Sequence, residues 1–300
     1  PLGIMLGIEC VAALHDAGER LRFPIEIYAF GDEEGSRFPL AMLTSRAVAG
    51  TLDAVPRDFD AYRQARHPGA FAYLEAHIEQ GPVLEADGLA LGTVTGIAAQ
   101  RRFGIKVGGR AGHAGTTAMT LRRDALAAAA AMILTAEQEA LAAGGDRVAT
   151  VGTVTAGPGA ANVVPGAAIF TLDVRAARDA DCAALADSII DRFGQIAAVR
   201  GVTLSVDALH SLPASPCDPQ LMTLMDGALA GEGLRVRRLV SGAGHDAMIL
   251  SALCPTAMLF IRCREGISHN PAESLLPEDA DLAARTMLRF IKSLEDIHRA

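Results

Sequence analysis

Between residues 100 and 208 the hydrophobic pattern changes texture, and this change restricts the fold more than any single motif. Apolar residues alternate with period two over 102–108, 167–175 and 202–208, the segment 147–155 also reads as strand, and apolar residues recur at helical spacing over 121–143 and 179–200. In chain order this predicts strand, helix, strand, strand, helix, strand, the order of a ferredoxin-like α+β sandwich. On either side the chain alternates helix and strand in the α/β manner: helix over 4–17, ended near Gly18, and strand over 24–30, then helix over 221–230 and strand over 256–261. Pro213, Pro216 and Pro219 punctuate the return. The simplest organisation is an α/β domain begun in 1–99, interrupted by an inserted domain at 100–208 and completed in 209–300.

Composition excludes several function classes. A chain of 300 residues, 50% of them hydrophobic, can bury the cores of two domains. A net charge of -8 argues against phosphate-backbone recognition, which needs a gathered excess of Lys and Arg, so no nucleic-acid partner is expected. The five cysteines are odd in number, scattered and form no CxxC, which argues against a disulfide framework or a thiolate zinc site and fits a reducing cytoplasm. The apolar run over 125–136 falls short of the ~18–20 residues that a membrane span requires, so no membrane is expected. The start, PLGIMLGIECVAAL, lacks a basic n-region and a cleavage site and reads as a core helix. No initiator Met precedes Pro1, which points to a fragment or a processed form.

The stretch YAFGDEEGSRFP sets Asp32, Glu33 and Glu34 at the end of a β-like segment, where α/β folds open their ligand crevice. Adjacent carboxylates raise one another's pKa unless a cation holds them, so the stretch is either a solvated acidic turn or part of a divalent metal site. Histidine is the usual co-ligand. His77, in LEAHIEQG, shares a strand face with Glu79; it is a packed core residue or a ligand. His269, in a Ser-His-Asn-Pro turn, is a surface residue or a ligand. His113 lies between glycines before Thr116 and Thr117, which resemble a helix N-cap pair. His245 follows small residues that permit close backbone approach. His15, His67, His210 and His298 read as structural or exposed. Dinucleotide, P-loop and GxSxG signatures are absent, which demotes nucleotide binding and serine-hydrolase chemistry.

DEEGSRFP, HIEQGPVLE, HAGTT followed by RRDAL, NVVPG, LDVR, SGAGHDA and GISHNPAE occur in that order. In this the chain resembles the amidase/hydantoinase/carbamoylase group of dinuclear metal amidohydrolases, relatives of aminoacylases and carboxypeptidase G. The resemblance runs from Pro1 to about Glu273. It implies a metallopeptidase-like catalytic domain with an inserted lid and dimerisation domain. It further implies Glu33 as general base, Glu34 and His269 as ligands of one metal ion, and His77 as ligand of the other. Gln80, Gly244 and His245 become substrate-binding residues. His113, Asn162 and Arg175 become lid residues that reach the neighbouring subunit's site in a homodimer; His113 steadies the oxyanion and Arg175 pairs with the substrate carboxylate. The implied cofactor is a pair of divalent ions (Zn, Mn, Co or Ni). Their remaining ligands, a His-x-Asp motif and a bridging Asp, would fall before Pro1-Leu2-Gly3, so this chain alone does not supply them. Ala118 stands where the group usually has Pro.

These roles suit the residue types. A metal-bound water has its pKa lowered from 15.7 to about 7, within reach of a carboxylate base. An arginine fork meets a carboxylate bidentately, although Arg175 is equally readable as a strand-end ion pair. The expected reaction is hydrolysis of the ureido C–N bond of an N-carbamoyl amino acid or allantoate-like acid, releasing ammonia and carbon dioxide. The alternatives are an aminoacylase or dipeptidase, and a metal-free binding or assembly protein.

Overall fold

Leu6, Cys10 and Leu14 recur along one helical stripe, and the chain folds there as α1 (Leu2–Asp16) with those side chains buried. The computed structural model describes residues 1–38, 40–52 and 60–297; Pro39 and His298 lie outside the described residues. After α1 come α2 (Leu43–Ala49), α3 (Asp60–Arg63), β1 (Tyr73–Ile78), α4 (Val83–Ala86), β2 (Leu91–Ile97), β3 (Ala99–Gly108) and β4 (Gly112–His113). Then follow α5 (Ala125–Ala143), β5 (Val148–Thr150), β6 (Val154–Gly157), β7 (Val163–Val164), β8 (Ala167–Ala176), α6 (Asp179–Arg200) and β9 (Thr203–Leu212). The chain ends with β10 (Ser215–Pro216), α7 (Pro219–Gly231), β11 (Arg238–Ser241), α8 (Asp246–Leu250), β12 (Thr256–Ile261) and α9 (Pro277–Ile297). Two compact units result: Pro1–Ile97 with Ser215–Ala300, and Ala98–Ala214.

The first unit is a mixed sheet ordered β1-β12-β2-β10, with β11 also paired to β2. β12 lies parallel to β1 and antiparallel to β2, and all six of its residues are buried, as expected of a strand covered on both faces. One face packs on Leu6, Cys10, Met225, Leu229, Phe290 and Leu294 of α1, α7 and α9. The other covers Leu84, Val94, Met258 and Phe260. The strand expected over 24–30 does not form: the segment joins no ladder, with Ile27 and Tyr28 39% and 38% exposed. A strand exists only where a partner edge lies about 5 Å away. Here Ile25, Ile27 and Tyr28 instead face Tyr73, Leu74 and Ala76 of β1 across a cavity of 690 Å³.

The second unit is an antiparallel sheet ordered β5-β8-β3-β9, with β6 also on β8. Helices α5 and α6 bury Ala128, Met132, Ile189 and Phe193 against Phe103, Ile105, Phe170 and Leu172. Four details differ from the sequence reading. The segment over 147–155 splits into β5 and β6, because Thr150 faces Asp173 and Val154 faces Phe170, so four steps on one strand meet three on the other: a bulge. β9 continues past 208 because it still pairs with β3 at Gln100↔Leu212. α5 starts at Ala125 rather than 121, because the Asp124 side chain accepts from the Ala127 amide at 2.9 Å. Thr116 and Thr117 are therefore not its caps; the Thr117 amide closes a turn onto the His113 carbonyl, and Ala118 leads into a short 3-10 turn. At 19 residues α5 is, among the described residues, the one helix long and apolar enough to cross a bilayer, although the run counted from the sequence was shorter; here Ala128, Ala129, Met132 and Ala136 pack on the sheet.

Candidate active site

The three acids of DEE part company. Asp32, held at φ 56°, accepts from the amides of Arg37 (2.8 Å) and Phe38 (2.9 Å) and from the Ser36 hydroxyl (3.1 Å), and these bonds lower its pKa. It shapes the turn. Thr44 of α2 ties the turn down by exchanging bonds with Gly31, and the Met42 amide donates to the Glu33 carbonyl at 2.8 Å. Glu33 is left half-buried, and burial together with the charges of Glu34 and Asp246, opposed by His269, pushes its carboxyl up to about 7. Glu34 points outward, 3.4 Å from His269 Nε2 in a pair whose members are 64% and 66% exposed.

Strand parity places Tyr73, Glu75 and His77 on one face of β1. His77 Nδ1 lies 2.8 Å from the Ile78 carbonyl, which can only accept, so this nitrogen donates and a metal ion would be met by Nε2. The His245 ring sits 4.6 Å from that of His77 at 60°, with its Nε2 2.7 Å from Ser241 Oγ and its Nδ1 3.7 Å from Glu75. Burial and the His77 charge press His245 down to about 3, so its imidazole is neutral. Glu79, paired with His77 in the sequence reading, is used otherwise: its two oxygens cap the Val83 and Leu84 amides that open α4. Gln80, at φ 57°, donates to Ser268 Oγ at 2.9 Å and so links the end of β1 to the loop carrying His269. Gly266, at φ +65°, is required there, since a Cβ would come within 2.7 Å of the Gly81 backbone.

Two acids escaped the sequence reading. Glu75 is pushed up to about 7 by burial and by Asp246, against bonds from Tyr73 and Ala247. Asp246 is raised by burial, and its Oδ1 is buried with no hydrogen-bond partner. Both stood within quoted motifs, and the available signal was parity: Glu75 lies two residues before His77, as Glu79 lies two after.

These features test the fit of divalent metal ions. Carboxyls raised at Glu33, Glu75 and Asp246, an orphaned carboxylate oxygen and a histidine whose Nε2 is not the nitrogen bonded to the backbone are what a cation would relieve. Yet among the described residues no group of three or more His, Cys, Asp or Glu side chains could hold one ion. The donors fit in kind and charge, and in number only as the Glu34–His269 pair and His77 alone.

The lid candidates lie in the second unit. His113 lies within, and Asn162 just before, a short ladder in which β4 pairs with β7 and the Ala114 amide donates to the Asn162 carbonyl at 2.9 Å. Both side chains are exposed, and His113 Nδ1 accepts from the Gly115 amide at 3.1 Å. Arg175 stands on β8, gripped by Asp173 through Nε at 2.8 Å and Nη2 at 3.3 Å, while Arg102 and Gln100 hold the same carboxylate.

Comparison with known proteins bears on this arrangement. The profile of peptidase family M20/M25/M40 matches residues 2–293. Allantoate deiminase 1 of Glycine max is 35% identical over 98% of this chain and 71% of its own length. The N-carbamoyl-L-amino acid amidohydrolase of Geobacillus stearothermophilus is 38% identical over 98% of the chain and 77% of its length. The crystal structure of an amidase of the hydantoinase/carbamoylase family from Burkholderia multivorans superposes with a TM-score of 0.91, at 33% identity over 97% of the chain and 75% of that structure.

Proposed function

We propose, from the premise that this chain belongs to peptidase family M20/M25/M40, that it hydrolyses the ureido C–N bond of a small ureido acid. The products are ammonia, carbon dioxide and the free amine. The observation that carries the reading is Glu33: a half-buried carboxyl with its pKa moved to about 7, beside the Glu34–His269 pair. Relatives named for allantoate and for N-carbamoyl amino acids supply the substrate class.

Glu34 and His269 would hold one divalent ion and His77 another. Bound there, such ions supply Lewis acidity and an acidified water. Glu33 takes the proton of the attacking water on its carboxylate and returns it to the departing nitrogen, a cycle that needs a pKa near the working pH. Gln80, Gly244 and His245 orient the ureido group. In the lid domain, which we read as a ferredoxin-like dimerisation unit, His113 donates to the developing oxyanion and Arg175, prepositioned by Asp173, pairs with the substrate carboxylate. We infer that these lid residues serve the neighbouring subunit of a homodimer, and that the enzyme works in the cytoplasm. The native metal is Zn, Mn, Co or Ni.

The test is ammonia release by the protein as its gene encodes it, supplied with each of these ions in turn. N-carbamoyl amino acids and allantoate are compared with N-acyl amino acids and dipeptides. Turnover confined to ureido acids supports the reading; turnover confined to acyl or peptide substrates replaces it with an aminoacylase or dipeptidase.

A further inference from the structure

Glu75 touches three residues of the first unit, Tyr73, His245 and Ala247, from one carboxylate. Its Oε2 accepts from the Ala247 amide at 2.8 Å, in the first turn of α8, and from the Tyr73 hydroxyl at 3.1 Å. Its Oε1 lies 3.7 Å from His245 Nδ1. On the other side of that ring Ser241 Oγ, at the end of β11, meets Nε2 at 2.7 Å, donates to the Ala243 carbonyl at 2.9 Å and accepts from the Ala243 amide at 3.2 Å. The turn from Ser241 to Ala247 is thus clamped at both ends from within. Gly244 lies against the Met42 side chain, where a Cβ would come within 2.9 Å of Met42 Cε.

We propose that Glu75 is a positioning residue that fixes the Ser241–Ala247 turn, and with it Gly244 and the His245 ring, against the strand face that carries His77. The proposal rests on the reading of that face as the ureido-acid site. The first-turn amide of α8 and the part-buried Tyr73 hydroxyl each need an acceptor, and the carboxylate 3.7 Å from Nδ1 limits the space in which the His245 ring can turn. Glutamine keeps both hydrogen bonds, its carbonyl oxygen accepting in place of Oε2, and its amide nitrogen fills the same space beside Nδ1. Alanine reproduces none.

The experiment compares wild type, Glu75→Gln and Glu75→Ala in three readouts: metal content per chain, KM and kcat for the ureido acid, and imidazole ¹⁵N spectra of His77 and His245. In Glu75→Ala, KM rises about tenfold or more with metal content unchanged. The His245 resonances move from one fixed tautomer to exchange. Glu75→Gln keeps KM within about threefold and the His245 spectrum as in wild type. If Glu75→Gln is as impaired as Glu75→Ala, Glu75 acts as an acid or base and the proposal fails. It also fails if Glu75→Ala changes neither KM nor the His245 spectrum, or loses only stability. Should wild type show no ureido turnover, the reaction reading fails, and the spectra alone then decide the positioning role.

Discussion

A carboxyl group works as a general base near neutrality only when its surroundings bring its pKa to about that range. Glu33 is so placed, whereas its neighbours in the chain are not interchangeable with it: Asp32 is consumed by three bonds of its own turn, and Glu34 stands in the open beside His269. The distinction follows from where the backbone turns, which is why adjacency in the sequence could not divide the roles. Glu34→Gln and His269→Ala are expected to lower metal occupancy in a metal-loaded enzyme, checked by elemental analysis after dialysis. A chain consisting of Pro1–Ala300 alone should hold fewer than two tight ions, because tight binding needs three or four donors at one point and none is so arranged among the described residues. Two ions surviving dialysis of that chain would contradict the ligand assignment.

Elements with strong periodicity and a clear start were legible. α6 over 179–200 and β12 over 256–261 have the bounds their patterns predict, one set by the Gly201 left-handed cap and the other by an unbroken apolar run. What was not legible depends on which partner a group finds in the fold. PIEIYAF alternates like a strand, yet pairing decides, and no described edge reaches it. The start of α5 is decided by which side chain captures a free amide, Asp124 rather than Thr116 or Thr117. Asp124→Ala should therefore cost about 1 kcal/mol, read as a lower denaturant midpoint with an unchanged slope. β8 carries a second test. Half-burial pushes Asp173 up, but bonds from Arg175, Arg102 and Gln100 outweigh it and hold its pKa below the ordinary value. A folded pKa below the unfolded one stabilises fully above the unfolded value of about 3.9 and is lost as pH falls through the folded value. Wild type should thus melt above Asp173→Asn at pH 7, and the gap should narrow toward pH 3; a gap independent of pH would remove the ion pair from the account.

At the scale of the whole molecule, two units with separate cores carry separate parts of the proposed chemistry. If the lid unit serves a neighbour's site, mixing inactive Glu33→Ala and Arg175→Ala dimers under subunit exchange should restore roughly a quarter of wild-type activity, since about half the dimers are mixed and each has one intact site. Exchange verified by mass without recovery would keep Arg175 out of the neighbour's site. The most direct measurement is ammonia release from a ureido acid by wild type and Glu33→Gln, each with its metal content determined. The account predicts that wild type turns over and that Glu33→Gln falls by about 10²–10⁴-fold at unchanged metal content. A Glu33→Gln enzyme with the wild-type rate would contradict it.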